Sequence, residues 1–304
     1  MDRFADLQAL VAIVESGSFS AAAERLGVAK SVVSRRLTRL EERLGSNLLL
    51  RTTRRLTLTD TGRAFFQRAQ QILNDLDEAE QLTSEQAGEL RGPIRLAAPM
   101  SFGLRHLSAA LAEFMQLHPK IELDLDLNDR RVNLVEEGFD MAVRIGDLPD
   151  SSLVARRLGT IRSIACASPQ YLASHGVPGS PQDLAGHPAL QYAHLPERQQ
   201  WTFTGADGEH IVAQPRTVMR ANNGEALAEV AAAGIGIVSG PTFILNDYCQ
   251  RGALRPILQQ WQRPSTGLYA VYPPGRLLPA RIRTLSEFLS TRYGDHPDWD
   301  ACLG

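Results

Sequence analysis

Cysteine is scarce in this chain and badly spaced for chemistry: Cys166, Cys249 and Cys302 are the only three in 304 residues. Their odd number and wide separation give no disulfide framework and no Cys-x-x-Cys metal pair. A reducing compartment, the cytoplasm, suits such usage. The seven histidines, at 106, 118, 175, 187, 194, 210 and 296, show no ligand-like pairing with one another or with the cysteines. Neither a metal site nor any other cofactor is therefore expected. Long apolar runs are missing too: none approaches the roughly 20 residues that span a bilayer. The opening Met1-Asp2-Arg3-Phe4-Ala5-Asp6 has no apolar segment of the signal-peptide kind. Neither export nor membrane insertion is expected.

A strong overall charge is also absent, and here the total misleads. The whole chain carries −2, but residues 1–58 hold ten Lys/Arg against six Asp/Glu, a net +4, which leaves −6 for the rest. A local basic excess steers one region onto phosphates while the remainder keeps the protein soluble. At 304 residues the chain is long enough for two or three domains, each with its own core.

That basic region is where the pattern is richest. Ser18-Phe19-Ser20-Ala21-Ala22-Ala23-Glu24-Arg25-Leu26-Gly27-Val28 runs into Lys30-Ser31-Val32-Val33-Ser34-Arg35-Arg36-Leu37, two short amphipathic helices across a glycine-bearing turn. In the second, Val33, Leu37, Leu40 and Leu44 share an apolar face. Lys30, Ser31, Ser34, Arg35 and Thr38 form a polar ridge on the other, of a shape that fits the major groove of DNA. A preceding helix is expected over about 4–15, with Phe4, Leu7, Leu10, Val11 and Val14 inward. After Gly45, residues 47–59 read as two strands around a basic turn, a wing with Arg54 and Arg55 at its tip.

Thr59-Asp60-Thr61-Gly62 reads as a helix start, with Thr59 as cap and Asp60 at the positive end of the dipole. The helix is expected to reach about Glu85. Its apolar positions Phe65, Ala69, Ile72, Leu76 and Ala79 make a seam suited to pairing with a second copy, the other reading being a helix laid on its own domain. Residues 86–93 look like a hinge. Beyond them strands at 94–98, 121–127 and 141–145 alternate with helices at 102–117 and 132–137. A similar run follows in the strand 163–167, the helix 224–233 and the strand 235–238, before the strand 268–272 and the helix 280–292. Such alternation implies α/β lobes with largely parallel sheets and a ligand cleft between them.

Taken together, Ser18–Leu26, Val33-Ser34-Arg35, Leu40-Glu41-Glu42-Arg43-Leu44-Gly45 and Leu58-Thr59-Asp60-Thr61-Gly62 resemble the DNA-binding signature of the LysR-type transcriptional regulators. Phe139-Asp140-Met141-Ala142-Val143-Arg144-Ile145-Gly146 and Ala231-Ala232-Ala233-Gly234-Ile235-Gly236-Ile237 resemble that family's effector-binding half, so the likeness covers nearly the whole chain. The resemblance implies a multidomain α+β and α/β protein: an N-terminal winged helix-turn-helix (1–58), a long linker helix for dimerisation with a hinge (59–91), and a two-lobed α/β regulatory domain resembling periplasmic binding proteins (92–304). Lobe I is expected at about 92–161 and 266–294, lobe II at about 162–265.

The resemblance also implies partners and sites. Homodimers or dimer-of-dimers tetramers would bind a dyad-symmetric stretch of double-stranded DNA. Lys30, Ser31, Ser34 and Arg35 fall at major-groove positions and Arg54 at a minor-groove position. One departure stands at the start of the second helix, where the family usually has a hydroxyl residue followed by glutamine. Here Ala29 cannot cap and Lys30 opposes the helix dipole by roughly 0.3–1 kcal/mol.

For the cleft, Pro99, Met100 and Ser101 join a strand to a helix whose N–H groups favour small anions. Asn128, Arg144, Gly146, Asn222, Asn223 and Ser239 would approach from other strand ends, and a small organic or aromatic acid is the expected effector. Each also has a structural reading, Ser101 and Asn223 as helix caps and Arg144 as a salt-bridged arginine.

Rival chemistries lack their context. Gly234-Ile235-Gly236-Ile237-Val238-Ser239-Gly240 places its glycines after a helix and before a strand, the reverse of a dinucleotide fingerprint. The same stretch has no Gly-x-Ser-x-Gly nucleophile elbow, and no catalytic constellation appears elsewhere. A redox-sensing cysteine remains open, although Cys166 falls in an apolar strand where a buried inert thiol is the default. The competing class is an enzyme or small-molecule-binding protein whose lobes do the main work.

Overall fold

The computed structural model describes residues 2–51, 56–84, 90–130, 132–146, 154–193, 201–273, 278–294 and 297–303, and the chain divides into two compact units, Met1–Glu89 with Val135–Gly138 and Leu90–Leu134 with Phe139–Gly304.

In the first unit, local hydrogen-bonding groups set the helix limits. Helix α1 (Arg3–Ser16) starts where the Asp2 carboxylate accepts from the Ala5 amide at 3.1 Å. The Ser18 hydroxyl does the same for α2 (Phe19–Arg25), accepting from Ala21 at 3.1 Å. Helix α3 (Lys30–Leu44) ends at Gly45, whose φ of 65° is the left-handed cap conformation glycine adopts without strain. Leu10 and Ile13 of α1, Ala22 of α2 and Val33, Leu37 and Leu40 of α3 are fully buried together. Both expected inner faces need a correction at one end. Phe4 is 44% exposed and Leu44 is 40% exposed, because each sits where its helix runs past the core, while Ala9 and Ile13, outside the expected face, are fully buried.

Strands β1 (Leu49–Arg51) and β2 (Leu56–Leu58) pair antiparallel, with Leu50 opposite Thr57. The Glu41 carboxylate accepts from the Leu48 and Leu49 amides at 2.8 and 3.2 Å, which ties this hairpin to α3. The hairpin tip, with Arg54 and Arg55, lies outside the described residues. Thr59 caps α4 (Asp60–Ser84): its hydroxyl accepts from Gly62 at 2.8 Å and donates to the Asn47 carbonyl at 2.9 Å. A Cβ at Gly62 would overlap the Leu48 carbonyl, so the close approach of α4 to the hairpin requires glycine there.

The apolar seam of α4 is not one stripe. Phe65, Ala69 and Leu73, spaced by four, pack into the core of their own unit, whereas Ile72 is 45% exposed. The first half of the helix thus follows the own-domain alternative.

The second unit begins with β3 (Arg91–Ala98), followed by α5 (Met100–Phe102), a π-helical turn (Gly103–Leu107) and α6 (Ser108–Leu117). Then come β4 (Lys120–Leu127), the short α7 (Leu134–Glu137), which apart from Leu134 groups with the first unit, β5 (Met141–Ile145), β6 (Val154–Ile161), β7 (Ser163–Ala167) and α8 (Pro169–His175). They are followed by β8 (Pro188–Tyr192), β9 (Trp201–Thr204), β10 (His210–Ala213), β11 (Arg216–Ala221), α9 (Gly224–Ala232) and β12 (Ile237–Pro241). The chain closes through α10 (Thr242–Gln250), β13 (Arg255–Ile257), β14 (Thr266–Tyr272) and α11 (Ala280–Tyr293).

Two five-stranded sheets result, in the orders β4-β3-β5-β14-β6 and β11-β8-β12-β7-β13. They are mixed, which corrects the expected largely parallel arrangement: β4-β3-β5 and β11-β8-β12 pair in parallel, and the other pairings are antiparallel. The cause is the path of the chain. It passes from the first sheet to the second between β6 and β7 and returns between β13 and β14, and each crossing puts a strand beside its neighbour in the reverse sense.

One apolar cluster runs through both lobes. Ile94, Leu96, Phe102 and Phe114 join Leu190, Leu227 and Phe243 in it. At its centre Phe102 stands edge-on to Phe243, Tyr293 and Trp299, with centroids 5.5, 5.3 and 5.7 Å away. Among the described residues, no helix is long and apolar enough to cross a membrane.

Candidate functional site

The polar ridge of α3 stands as its periodicity implies. Lys30, Ser31, Arg35 and Thr38 are exposed and Ser34 is half-buried, directly above the fully buried Val33, Leu37 and Leu40. Thr38 donates to the Ser34 carbonyl at 3.1 Å, so its proton is directed into its own helix and its oxygen remains as an acceptor. No side chain among the described residues engages Lys30 or Arg35. Ala29 is the N-cap residue and makes no side-chain cap. Among the described residues the first-turn N–H groups of α3 therefore have no side-chain cap, and the Lys30 charge sits beside them.

The other candidate site lies within the second unit, between the start of the helix after β3 and the start of α9. Met100, Ser101, Leu104, Arg105, Asn223 and Glu225 line an open cleft of about 390 Å³. Asn223 caps α9, its amide oxygen accepting from Ala226 at 2.9 Å, and Glu225 follows in the first turn where the dipole favours an anion. The Ser101 hydroxyl, 6% exposed, donates to the Glu225 carboxylate. Arg105 donates through Nε to the same carboxylate at 2.9 Å and through Nη1 to Asp247 on α10.

These contacts set the charge states. Burial alone would raise the Glu225 carboxyl, but hydrogen bonds from Ser101 and Arg105 outweigh it and hold the group below the usual carboxylate range. Burial likewise opposes the Arg105 charge, and the two carboxylates more than offset it. Tyr192, at the end of β8, has its hydroxyl pushed well up by burial and by its hydrogen bond with Asp129, whose carboxylate also accepts from the Met100 amide at 3.1 Å.

The π turn sits in the cleft wall. Ser108 closes it by donating both its amide and, at 2.8 Å, its hydroxyl to the Gly103 carbonyl. A Cβ at Gly103 would overlap the Leu127 side chain, so this wider turn lies flush on β4. Such turns recur at functional sites. His106, in the same turn, is surrounded by rings, with the Trp299 and Phe102 centroids 4.4 and 5.6 Å away, and burial holds it below its ordinary value.

Of the expected cleft residues, Met100, Ser101 and Asn223 meet here, with Pro99 as the residue preceding α5. Asn128 instead shapes its own turn, donating to Asp126 at 2.5 Å and accepting from the Arg130 amide at 3.2 Å. Arg144 donates to the Val132 carbonyl at 2.6 Å, in keeping with a structural role, and Gly146 continues the β5–β14 pairing by donating to Gly267 at 3.1 Å. Asn222 is exposed one residue before the cap. Ser239 lies in β12 opposite Ala165, with its hydroxyl buried and without a hydrogen-bond partner among the described residues. Arg105, Glu225 and Asp247 were not singled out by sequence. The available signal was an acid two residues after the Asn223 cap and an arginine four after Ser101. Among the described residues no group of three His, Cys, Asp or Glu side chains could hold a metal ion.

The same two regions match known families. Residues 4–63 match the bacterial regulatory helix-turn-helix protein, lysR family, and residues 87–294 match the LysR substrate binding domain. Among relatives, the HTH-type transcriptional regulator PtxR of Pseudomonas aeruginosa is 38% identical, the match covering 96% of this chain and 93% of that one. CrgA of Neisseria meningitidis serogroup B, also an HTH-type transcriptional regulator, is 37% identical over 96% of this chain and 97% of its own. The solved structure of CrgA, a LysR-type transcriptional regulator, superposes with a TM-score of 0.59 over 94% of this chain and 97% of that one, at 37% identity. The full-length virulence activator AphB of Vibrio cholerae, of the same family, gives 0.58 over 95% and 98% at 29% identity. With both halves matched and relatives similar end to end, this chain belongs to the LysR family: it is a DNA-binding transcriptional regulator with an effector-binding domain, and not an enzyme.

Proposed function

We propose that the α3 ridge of Lys30, Ser31, Ser34, Arg35 and Thr38 reads the major groove of a dyad-symmetric promoter site, with Arg54 and Arg55 reaching the flanking minor groove. The observation that carries this reading is that Lys30 and Arg35 are exposed, and unengaged among the described residues, above a fully buried Val33-Leu37-Leu40 face in the part of the chain with the basic excess. Phosphates positioned by Lys30 and the uncapped first turn, and bases contacted by Arg35, are the division of labour such a helix supports. Two copies acting together supply the dyad, as a homodimer or a dimer-of-dimers tetramer, in the cytoplasm where the DNA is. The exposed Ile72 on the 25-residue α4 is one apolar surface for that pairing. Genome-wide mapping of bound DNA tests the whole reading. Enriched inverted repeats beside a small set of promoters are expected, and uniform coverage would overturn it.

The effector in this reading is a small organic or aromatic acid bound in the cleft. Support comes from the carboxylate already seated there: Glu225 accepts from the Ser101 hydroxyl and the Arg105 guanidinium, which together make a charge-assisted carboxylate seat. An incoming acid takes Glu225's place, frees it from Arg105, and so changes the bond between the lobes. Thermal shift with a panel of small carboxylates is the check. Glu225→Gln removes the competing charge and should tighten acid binding severalfold. An effect on neither protein by any acid would refute this choice of ligand.

A further inference from the structure

Cys166 and Cys249 lie 83 residues apart in sequence, yet their sulfurs are 3.7 Å apart, in van der Waals contact. We propose that they form a thiol pair that hydroperoxides convert to an intramolecular disulfide, a modification site within the second lobe separate from the ligand cleft. The two thiols differ in access. Cys166 is fully buried on β7, held between Val238 of β12 and Pro256 of β13, whereas Cys249 is half-buried near the end of α10. Accessible thiols meet the oxidant first.

The chemistry balances in two steps. The Cys249 thiolate attacks the hydroperoxide, the O–O bond breaks, and Cys249 becomes a sulfenic acid as water, or the alcohol from an organic hydroperoxide, leaves. The Cys166 sulfur then attacks the Cys249 sulfur, the S–S bond forms, the S–O bond breaks, and the Cys166 proton leaves with the hydroxide as a second water. Two thiols are oxidised and one peroxide is reduced.

Closing the bridge moves structure in a definable direction. A disulfide is about 2.05 Å long, so the sulfurs must approach by about 1.7 Å. Strand β7 is paired on both sides and cannot give, which leaves the last turn of α10 to shift. That turn carries Asp247, two residues before Cys249, and Asp247 holds Arg105 from across the cleft. Oxidation therefore pulls on the contact between the lobes.

The test uses the full-length protein, reduced and then treated with hydrogen peroxide or cumene hydroperoxide, followed by denaturing alkylation and peptide mass mapping. Of the three cysteines, one alkylated thiol, Cys302, and a cross-linked peptide pair containing Cys166 and Cys249 are expected. Cys302→Ser should leave that bridge intact. In Cys166→Ser a dimedone adduct should appear on Cys249, while in Cys249→Ser the Cys166 thiol should survive. Three alkylated thiols at a dose that fully oxidises glutathione would overturn the proposal, as would a bridge to Cys302 or one between two chains. Should a serine variant misfold, the wild-type and Cys302→Ser maps still decide. On the same samples, DNA affinity should change severalfold and return with dithiothreitol, and an unchanged affinity would refute the link from the bridge to the cleft.

Discussion

The α3 ridge and the interlobe cleft solve opposite problems. On α3 Lys30 and Arg35 are exposed and engaged by no other side chain among the described residues, and everything that places them is local: a helix of fifteen residues and a buried face beneath it. In the cleft each charged group is already engaged, and its partners come from 120 or more residues away, as with Arg105 and Glu225 or Arg105 and Asp247. In the proposed reading the first surface is preformed for a partner with many phosphates. The second is concave and holds its own substitute ligand. On that reading binding DNA adds contacts, whereas binding an effector exchanges them, and an exchange is what couples a ligand to a change in structure.

Core damage gives the largest effect that separates the two regions. Leu37→Ala removes a fully buried side chain from the first unit and should cost about 2–5 kcal/mol. DNA binding should fall while the thermal response of the second unit to ligand persists. Calorimetry of the full chain checks this, and equal loss in both units would contradict the expectation.

A smaller effect sharpens the electrostatic side. Lys30→Gln removes the cation at the uncapped start of α3, so the slope of log affinity against log salt should fall by about 1. The helix itself should become slightly more stable, since Lys30 opposes its dipole. Anisotropy titrations at several salt concentrations read the slope. An unchanged slope and affinity would mean that Lys30 touches no phosphate.

Smallest is a pH effect confined to the second unit. Burial holds His106 below the ordinary imidazole value of 6.5, so the unfolded chain binds its proton more tightly. Its stabilising contribution is complete above that value and is lost as pH falls through the lower folded one. The unfolding temperature of the second unit should drop between about pH 7 and pH 5, and His106→Phe should flatten the drop. The first unit should be indifferent to this substitution.

The contrast also explains what could be read from the sequence. The helices of the first unit, the Thr59 cap, the uncapped Ala29 and the strand 141–145 follow from spacing and from residues a few positions apart, so they were visible. The misassigned Phe4 and Leu44 show the limit: periodicity gives a face but not where the core ends along it. Strands β6, β8, β9, β10, β11 and β13 and helices α8 and α10 are not distinguished by the sequence, and the mixed sheets depend on where the chain crosses between lobes, which no local pattern records. Ser101 and Asn223 were found because strand-to-helix turns have a local signature. Glu225, Arg105, Asp247 and the Cys166–Cys249 contact exist only once distant segments meet.

The central claim is that the α3 ridge reads DNA, and its most direct test is the affinity of the full-length protein, wild type against Arg35→Ala, for an inverted-repeat promoter site enriched in genome-wide mapping. Removing one base-reading arginine should weaken specific binding by about 1–3 kcal/mol, a factor of roughly 5 to 150, with non-specific binding much less changed. Equal affinity of the two proteins for that DNA, at matched salt, would contradict the account.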